Sequence, residues 1–435
     1  MKKLLLLLSL LFSTLLFSQD RFEKIDEFLN YLYENNKFMG SFCIREGENV
    51  VYNKAYGFAD VDKKIEADRL TKYKIGSITK TFTSAMIFQL IDEKKLRLET
   101  KLDKFFPKVK NGEQISIYDL LYQRTGIPDY INHDSLITAE LNAPDLKEAI
   151  YQKIENYDSR FVVGSKYEYS NSNYYLLGGI IEKITKKSYQ ENLEERIVKK
   201  ANLLNTYYKK ENTDTAKKES YSYLFDGTNW EIIPEWKNEM AFSAGAIIST
   251  PADLTRFMNE LFQGKIVSKK SLNLMTEIKD GYGAALMQFP FGDRKYFGHT
   301  GGIEGFRSVV GYNVSEKMGI SLIVNGENYN RNDIMIGVLS IYYKLPFPFP
   351  KFEKISPEII EKYSGNYSSK DLPLKINIFE KDGELLAQAT GQSSFPLTMK
   401  DEKTFIFSQA GILIEFGEGT FVLNQGGMKY TFTKD

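Results

Sequence analysis

Ser77 and Lys80 stand three residues apart in Gly76-Ser77-Ile78-Thr79-Lys80, the only Ser-x-x-Lys in the chain. Positions i and i+3 share a helix face, so a helix starting here puts the amine one turn above the hydroxyl. A serine hydroxyl attacks a carbonyl only after a base has taken its proton. Lysine can be that base once it is substantially neutral, and burial with nearby positive groups lowers its pKa from ~10.4 toward roughly 7–8. The following run supplies the burial. Phe82, Ala85, Met86, Ile87, Phe88, Leu90 and Ile91 cover most of a helix circumference, the pattern of an enclosed helix. Its positive N-terminal end favours a developing alkoxide. The same residues also read as a plain helix start, with Ser77 as cap and Lys80 on the surface.

Two further groups stand out. Tyr169-Ser170-Asn171 follows the Gly164 turn and precedes an apolar helical run at Tyr174–Ile181. Tyr33–Asn35 and Tyr130–Asn132 repeat the Tyr-x-Asn pattern, so the triplet alone carries little. His299-Thr300-Gly301-Gly302 precedes strand-like residues. A strand edge with Thr and glycines lets a substrate backbone approach and pair with main-chain N–H groups. A glycine turn beside a structural histidine accounts for it equally well.

Taken in order, with 92 and 130 residues between them, the three motifs resemble the serine β-lactamase and DD-peptidase superfamily, specifically its class C-like branch. Gly57-Phe58-Ala59-Asp60, Gly126-Ile127-Pro128-Asp129-Tyr130 and Ser249-Thr250-Pro251-Ala252-Asp253-Leu254 are similar to segments of that family. The resemblance covers about residues 20–345. It implies an α/β (α+β) fold, a β-lactamase/transpeptidase-like antiparallel sheet flanked by helices with an inserted all-helical region. It further implies that Ser77 forms an acyl-enzyme, with Lys80 and Tyr169 sharing the general-base work and Tyr169 protonating the leaving group. Asn171 would bond the substrate amide and hold Lys80. The backbone N–H groups of Ser77 and Gly302 would form the oxyanion hole, and His299 and Thr300 would sit beside the substrate carboxylate or leaving group. Class C β-lactamases usually carry Lys where this chain has His299, and the His-Thr-Gly form resembles soluble DD-carboxypeptidases and related D-amino-acid peptidases and esterases. A neutral His attracts a β-lactam carboxylate less than a permanent charge would.

The elements that must hold these residues are legible in outline. Lys2 and Lys3 head an apolar run from Leu4 to Phe17, read as a secretory signal over 1–18. The mature protein is then expected to be secreted or periplasmic, with membrane attachment only if that segment stays uncleaved. Phe22, Ile25, Phe28, Leu29 and Leu32 predict a first amphipathic helix. Strands are expected at Met39–Ile44, Val50–Gly57, Ser308–Asn313 and Ile320–Asn325, with a helix at Asp333–Tyr343. The core is therefore a sheet built from both ends of a 19–345 hydrolase domain. A proline-punctuated linker at 346–351 leads to a small all-β domain over 352–435, where Leu374, Ile376 and Ile378 alternate with polar residues and Asp382-Gly383 makes a hairpin turn. Further strands are predicted at Thr404–Phe407, Ile412–Phe416, Thr420–Leu423 and Met428–Thr433.

Composition narrows the partners. Lys plus Arg and Asp plus Glu are 57 each, so no field draws nucleic acid. The chain has two histidines, His133 and His299, and one cysteine, Cys43, which leaves no set for a His/Cys zinc site and no internal disulfide. No metal and no cofactor are expected. The expected partner is a small molecule or peptide with an acyl carbonyl: a peptidoglycan peptide, a β-lactam or an ester. No Gly-x-Ser-x-Gly elbow exists for an α/β-hydrolase. The competing readings are a carboxylesterase or class C-like β-lactamase on the same residues, and a non-catalytic binder that keeps the fold. Arg124 and Tyr130 are candidates for reaching substrate as well as structural residues, and Cys43 reads as a small buried hydrophobe.

Overall fold

The computed structural model describes residues 21–132, 143–209, 212–352, 355–381, 384–392, 394–407 and 410–435. The expected signal segment over 1–18, His133 and the expected Asp382-Gly383 turn lie outside the described residues. The described residues form two compact units, one within 40–221 and 234–325, the other within 21–39, 222–233 and 326–435.

In the first unit, strands β1 (Phe38–Glu46) and β2 (Asn49–Tyr56) form a hairpin closed at Gly47, whose positive φ suits glycine. They extend an antiparallel meander of β3 (Met287–Phe291), β4 (Arg294–Ile303), β5 (Phe306–Asn313) and β6 (Met318–Glu327). The sheet order β3-β4-β5-β6-β1-β2 joins both chain ends, as the strand pattern predicts. Helix α1 (Thr79–Asp92) is preceded by a 3-10 turn at Gly76–Ile78 and is buried all round, with Phe82 stacked on Phe257 at 3.9 Å. Helix α2 (Asn171–Thr185) starts at the asparagine of the second motif. Helix α3 (Asn238–Gly245) is kinked at Phe242, a buried residue with φ +36. Helix α4 (Pro251–Phe262) explains the Ser249–Leu254 segment: Thr250 caps it by accepting from the Asp253 amide at 3.2 Å, and proline fits the first turn.

The second unit does not follow a single cut at the proline-punctuated linker. Its helix 21–34 and helix Arg331–Tyr342 come with that linker, because Phe347 and Phe349 pack on Phe28 at 5.1 and 5.3 Å and Tyr31 donates to the Pro350 carbonyl. The short hairpin Tyr223–Phe225/Trp230–Ile232 also belongs here, held by a 3.0 Å ion pair from Lys381 to Asp226 and by Leu224 on the apolar core. That core belongs to a nine-stranded sheet. It comprises β7 (Gly365–Ser368), β8 (Lys375–Lys381), β9 (Glu384–Ala389), β10 (Phe395–Pro396), β11 (Thr398–Met399), β12 (Thr404–Phe407), β13 (Ile412–Phe416), β14 (Thr420–Gln425) and β15 (Met428–Lys434). The sheet order is β10-β9-β8-β7-β15-β14-β13-β12-β11. Its two edges, β10 and β11, are separated only by Leu397, which curls the meander into a barrel-like module.

Candidate active site

Ser77 lies on the 3-10 turn where β4 crosses the start of α1. Gly76 there has φ +51, and a Cβ on it would meet the Gly302 backbone at 2.8 Å, so only glycine permits the crossing. Gly301 serves the same contact from the strand side: a Cβ would lie 2.0 Å from the Ile75 carbonyl, which accepts from the Ser308 hydroxyl at 2.8 Å. Gly301 is therefore glycine for the protein's own backbone, not for a substrate's. Gly302 differs, since its Cβ position meets only Arg307 side-chain atoms at 3.7 Å or more, and it lines the cavity with Ser77.

Around Ser77 the three motifs converge as far as Asn171. Lys80, with no exposed surface, has its Nζ 3.0 Å from Ser77 Oγ, 2.7 Å from Asn171 Oδ1 and 2.8 Å from the Ala244 carbonyl. Tyr169 donates its hydroxyl to Ser77 Oγ at 2.9 Å. Burial pulls the Lys80 amine down to about 7, against a smaller opposing pull from the Asp129 charge. Burial pushes the Tyr169 phenol far above its ordinary value, with the Ser77 hydrogen bond a lesser opposing effect. At neutral pH the lysine is thus close to half neutral, while the tyrosine keeps its proton.

The cavity beside Ser77, about 350 Å³, is lined by Ile131, Trp236, Ala241, Ile303 and Arg307 among others, with Asn132, Asn171 and Gly302 as polar edges. Glu304 belongs to this wall as well. Its side chain, 1% exposed, pairs with Lys74 at 2.6 Å and accepts from the Trp236 amide at 2.6 Å.

His299 does not join the cavity lining. Its ring, 2% exposed, lies 3.1 Å through Nε2 from the Tyr282 hydroxyl and 2.5 Å through Nδ1 from the Thr300 carbonyl. Burial lowers it to about 4, so the imidazole is neutral at physiological pH. Its ring centroid is 6.4 Å from that of Tyr169. Thr300 is half-buried on the same strand and is likewise outside the lining. Arg124 and Tyr130 are both buried, paired with Asp280 and the Met240 carbonyl respectively, and do not line the Ser77 cavity. Cys43 is buried, its thiol pushed up to about 11 by desolvation, in keeping with a small apolar role.

Asp129 and the Ala244 carbonyl are residues that motif reading did not assign. Asp129 accepts from Asn171 Nδ2 at 2.8 Å. The Gly126–Tyr130 segment was the available signal, but nothing in local spacing says that it meets a residue 42 positions later. The Ala244 contact was invisible, because a carbonyl carries no sequence mark.

The family described as Beta-lactamase matches residues 35–337. Protein flp of Staphylococcus aureus (strain N315) is 28% identical over 323 residues, which is 71% of this chain and 64% of that protein. The chain thus spans less than two thirds of the length of that relative. Penicillin-binding protein 4* of Bacillus subtilis (strain 168) is 24% identical over 447 residues, covering 94% of this chain and 98% of the relative. Among solved structures, an octameric penicillin-binding protein homologue from Pyrococcus abyssi aligns over 95% of this chain and 99% of its own, with TM-score 0.65 and 24% identity. A D-amino acid amidase from Ochrobactrum anthropi SV3 aligns over 75% of this chain and 99% of its own, with TM-score 0.65 and 22% identity. These structural likenesses establish a common fold.

Proposed function

The chain belongs to the β-lactamase family, and on that premise we propose that it is an exported serine hydrolase that forms an acyl-enzyme on Ser77. One observation carries this reading: Ser77 Oγ lies within hydrogen-bond reach of a lysine held near neutrality, 3.0 Å away, and of a protonated tyrosine, 2.9 Å away. A neutral amine has two N–H donors and one lone pair. Asn171 Oδ1 and the Ala244 carbonyl occupy the two donors, so the lone pair faces the serine hydroxyl. Lys80 takes the Ser77 proton as Oγ bonds to the substrate carbonyl carbon, and the backbone N–H groups of Ser77 and Gly302 hold the oxyanion. The bond to the leaving group then breaks, that group taking the Tyr169 proton while Lys80 returns one to Tyr169. Water repeats the sequence on the acyl-enzyme. Each oxyanion donor is worth about 2.7–4 kcal/mol of barrier. With the phenol raised and the amine lowered, Lys80 is the first base and Tyr169 the proton carrier.

The substrate class in this reading is a D-alanyl-D-alanine-like or other D-amino-acid peptide. His299 is neutral and enclosed, so it offers no charge to a substrate carboxylate, whether of a β-lactam or of a D-alanyl-D-alanine terminus, which supports amide and ester substrates that lack one. The D-amino acid amidase fold relative points the same way by its name. The test is intact mass after incubation with a penicillin, wild type beside Ser77→Ala. An adduct of one intact drug on wild type, absent in the variant, is expected. Equal labelling of the variant, or none on either protein with no substrate turned over, would overturn the reading.

A further inference from the structure

We infer that Asp129 is the positioning residue of this site: its carboxylate decides which way the Asn171 amide faces and so aims Lys80 at Ser77. The inference rests on the reading of Ser77 and Lys80 as nucleophile and base, and adds to it how the base is aimed. An ionised carboxylate accepts hydrogen bonds and donates none. Asp129 Oδ2 accepts from Asn171 Nδ2 at 2.8 Å and from Asn132 Nδ2 at 2.9 Å, while Oδ1 accepts from the Ile131 amide at 3.0 Å. The carboxylate is therefore pinned by its own turn before it meets Asn171. Only the NH₂ end of the Asn171 amide can face it, which leaves Oδ1 for Lys80 at 2.7 Å.

The opposite orientation would spoil the site. With NH₂ toward the amine, the Lys80 lone pair would accept from Asn171 and would no longer be available to the Ser77 proton. The Ala244 carbonyl holds only one N–H and leaves the second N–H and the lone pair of Lys80 free to exchange places. Two fixed acceptors remove that freedom.

Asp129 also acts on the amine through space. The groups facing Lys80 are the Ser77 hydroxyl, the Asn171 amide, the Ala244 carbonyl, the rings of Tyr169 and Tyr174 at 5.0 and 5.8 Å, and the neutral His299. Among the described residues, Asp129 supplies the carboxylate whose charge opposes the larger effect of desolvation on Lys80. Removing that charge drives the amine further toward neutrality.

The experiment measures two things on the full chain: Lys80 titration by NMR of ε-¹³C-lysine protein, its signal identified by absence in Lys80→Met, and the pH profile of acylation. Asp129→Asn keeps an oxygen for the Ile131 amide and is the conservative change. Its Lys80 signal is expected to titrate at lower pH than wild type, the acid limb of acylation shifting down with it. The maximal acylation rate should fall about tenfold, the effect of one lost positioning hydrogen bond. The swap Asp129→Asn with Asn171→Asp moves the carboxylate next to the amine and is expected to raise the Lys80 titration above wild type. A purely structural role would lower thermal stability and leave the titration and acid limb where they were, which would overturn the inference. The NMR titration needs no turnover, so it tests Asp129 separately from the Ser77→Ala adduct experiment that tests the nucleophile.

Discussion

The Ser77 site and the C-terminal barrel-like module bury different kinds of chemistry. Around Ser77, α1 and α2 enclose Thr79, Lys80, Thr81, Thr83, Ser84, Asn171, Ser172 and Asn173. In the described part of 355–435 no polar or charged side chain is buried; its core is Tyr363, Phe405, Phe416, Phe421, Phe432 and aliphatic neighbours. The site also has a positive φ at the non-glycine Phe242, a conformation that costs of order 1–3 kcal/mol. The module is built for packing alone. The site instead holds one amine where burial disfavours its charge, and each buried polar group there needs a partner.

Lys80→Met is the sharpest way to break this contrast. It should reduce acylation by on the order of 10³-fold, within the range of a lost general base, measured by the rate of adduct formation. Its stability relative to wild type should also depend on pH. The folded amine, near 7, sits below the unfolded value of ~10.4, so the unfolded state binds more protons between those limits. Wild type therefore gains stability relative to the variant as pH rises from about 7 toward 10.4, with no such slope below 7. Parallel denaturant titrations across that window read the effect, and a flat difference would contradict the lowered amine.

Phe421→Ala tests the other side. Phe421 is fully buried, stacked on Phe432 at 4.8 Å and beside Tyr367 at 4.8 Å. Its loss should destabilise the module by about 3–5 kcal/mol, read by denaturant unfolding, with the pH at which acylation is half-maximal unchanged. A smaller effect comes from the paired glycines. Gly301→Ala should cost about 1–3 kcal/mol, because its Cβ collides with the Ile75 carbonyl. Gly302→Ala should fall within about 0.5 kcal/mol of wild type, its Cβ meeting nothing closer than 3.7 Å. Thermal melts of the two side by side decide whether β4 uses its glycines unequally.

Legibility differed by region for the same reason. In the module, β12 and β13 match their expected spans, because one apolar face alternates with solvent. β9 was implied only by the expected Asp382-Gly383 hairpin turn and its span went unmarked: Leu385, Leu386 and Ala387 are consecutively buried, Leu386 meeting the hairpin backbone at Gly227, so no alternation survives. β3 was missed too: Met287, Phe289 and Phe291 alternate with Gln288 and Pro290, but proline argues against a strand. In the site, Ser77, Lys80, Tyr169 and Asn171 were readable as motifs, whereas for His299 the sequence left a residue beside substrate and a structural histidine as equal readings, and the structure shows an enclosed one.

Sequence by itself determined Ser77 and Lys80 as neighbours one helical turn apart, the apolar enclosure of the amine, and the family, because i,i+3 spacing and local hydropathy are short-range properties. Tertiary structure alone brought Asp129 to Asn171 and the Ala244 carbonyl to Lys80, set Gly301 against the Ile75 carbonyl, and enclosed His299 between Tyr282 and the Thr300 carbonyl. Those outcomes depend on which distant backbone segment arrives at a given atom, and chain order carries no local record of that meeting.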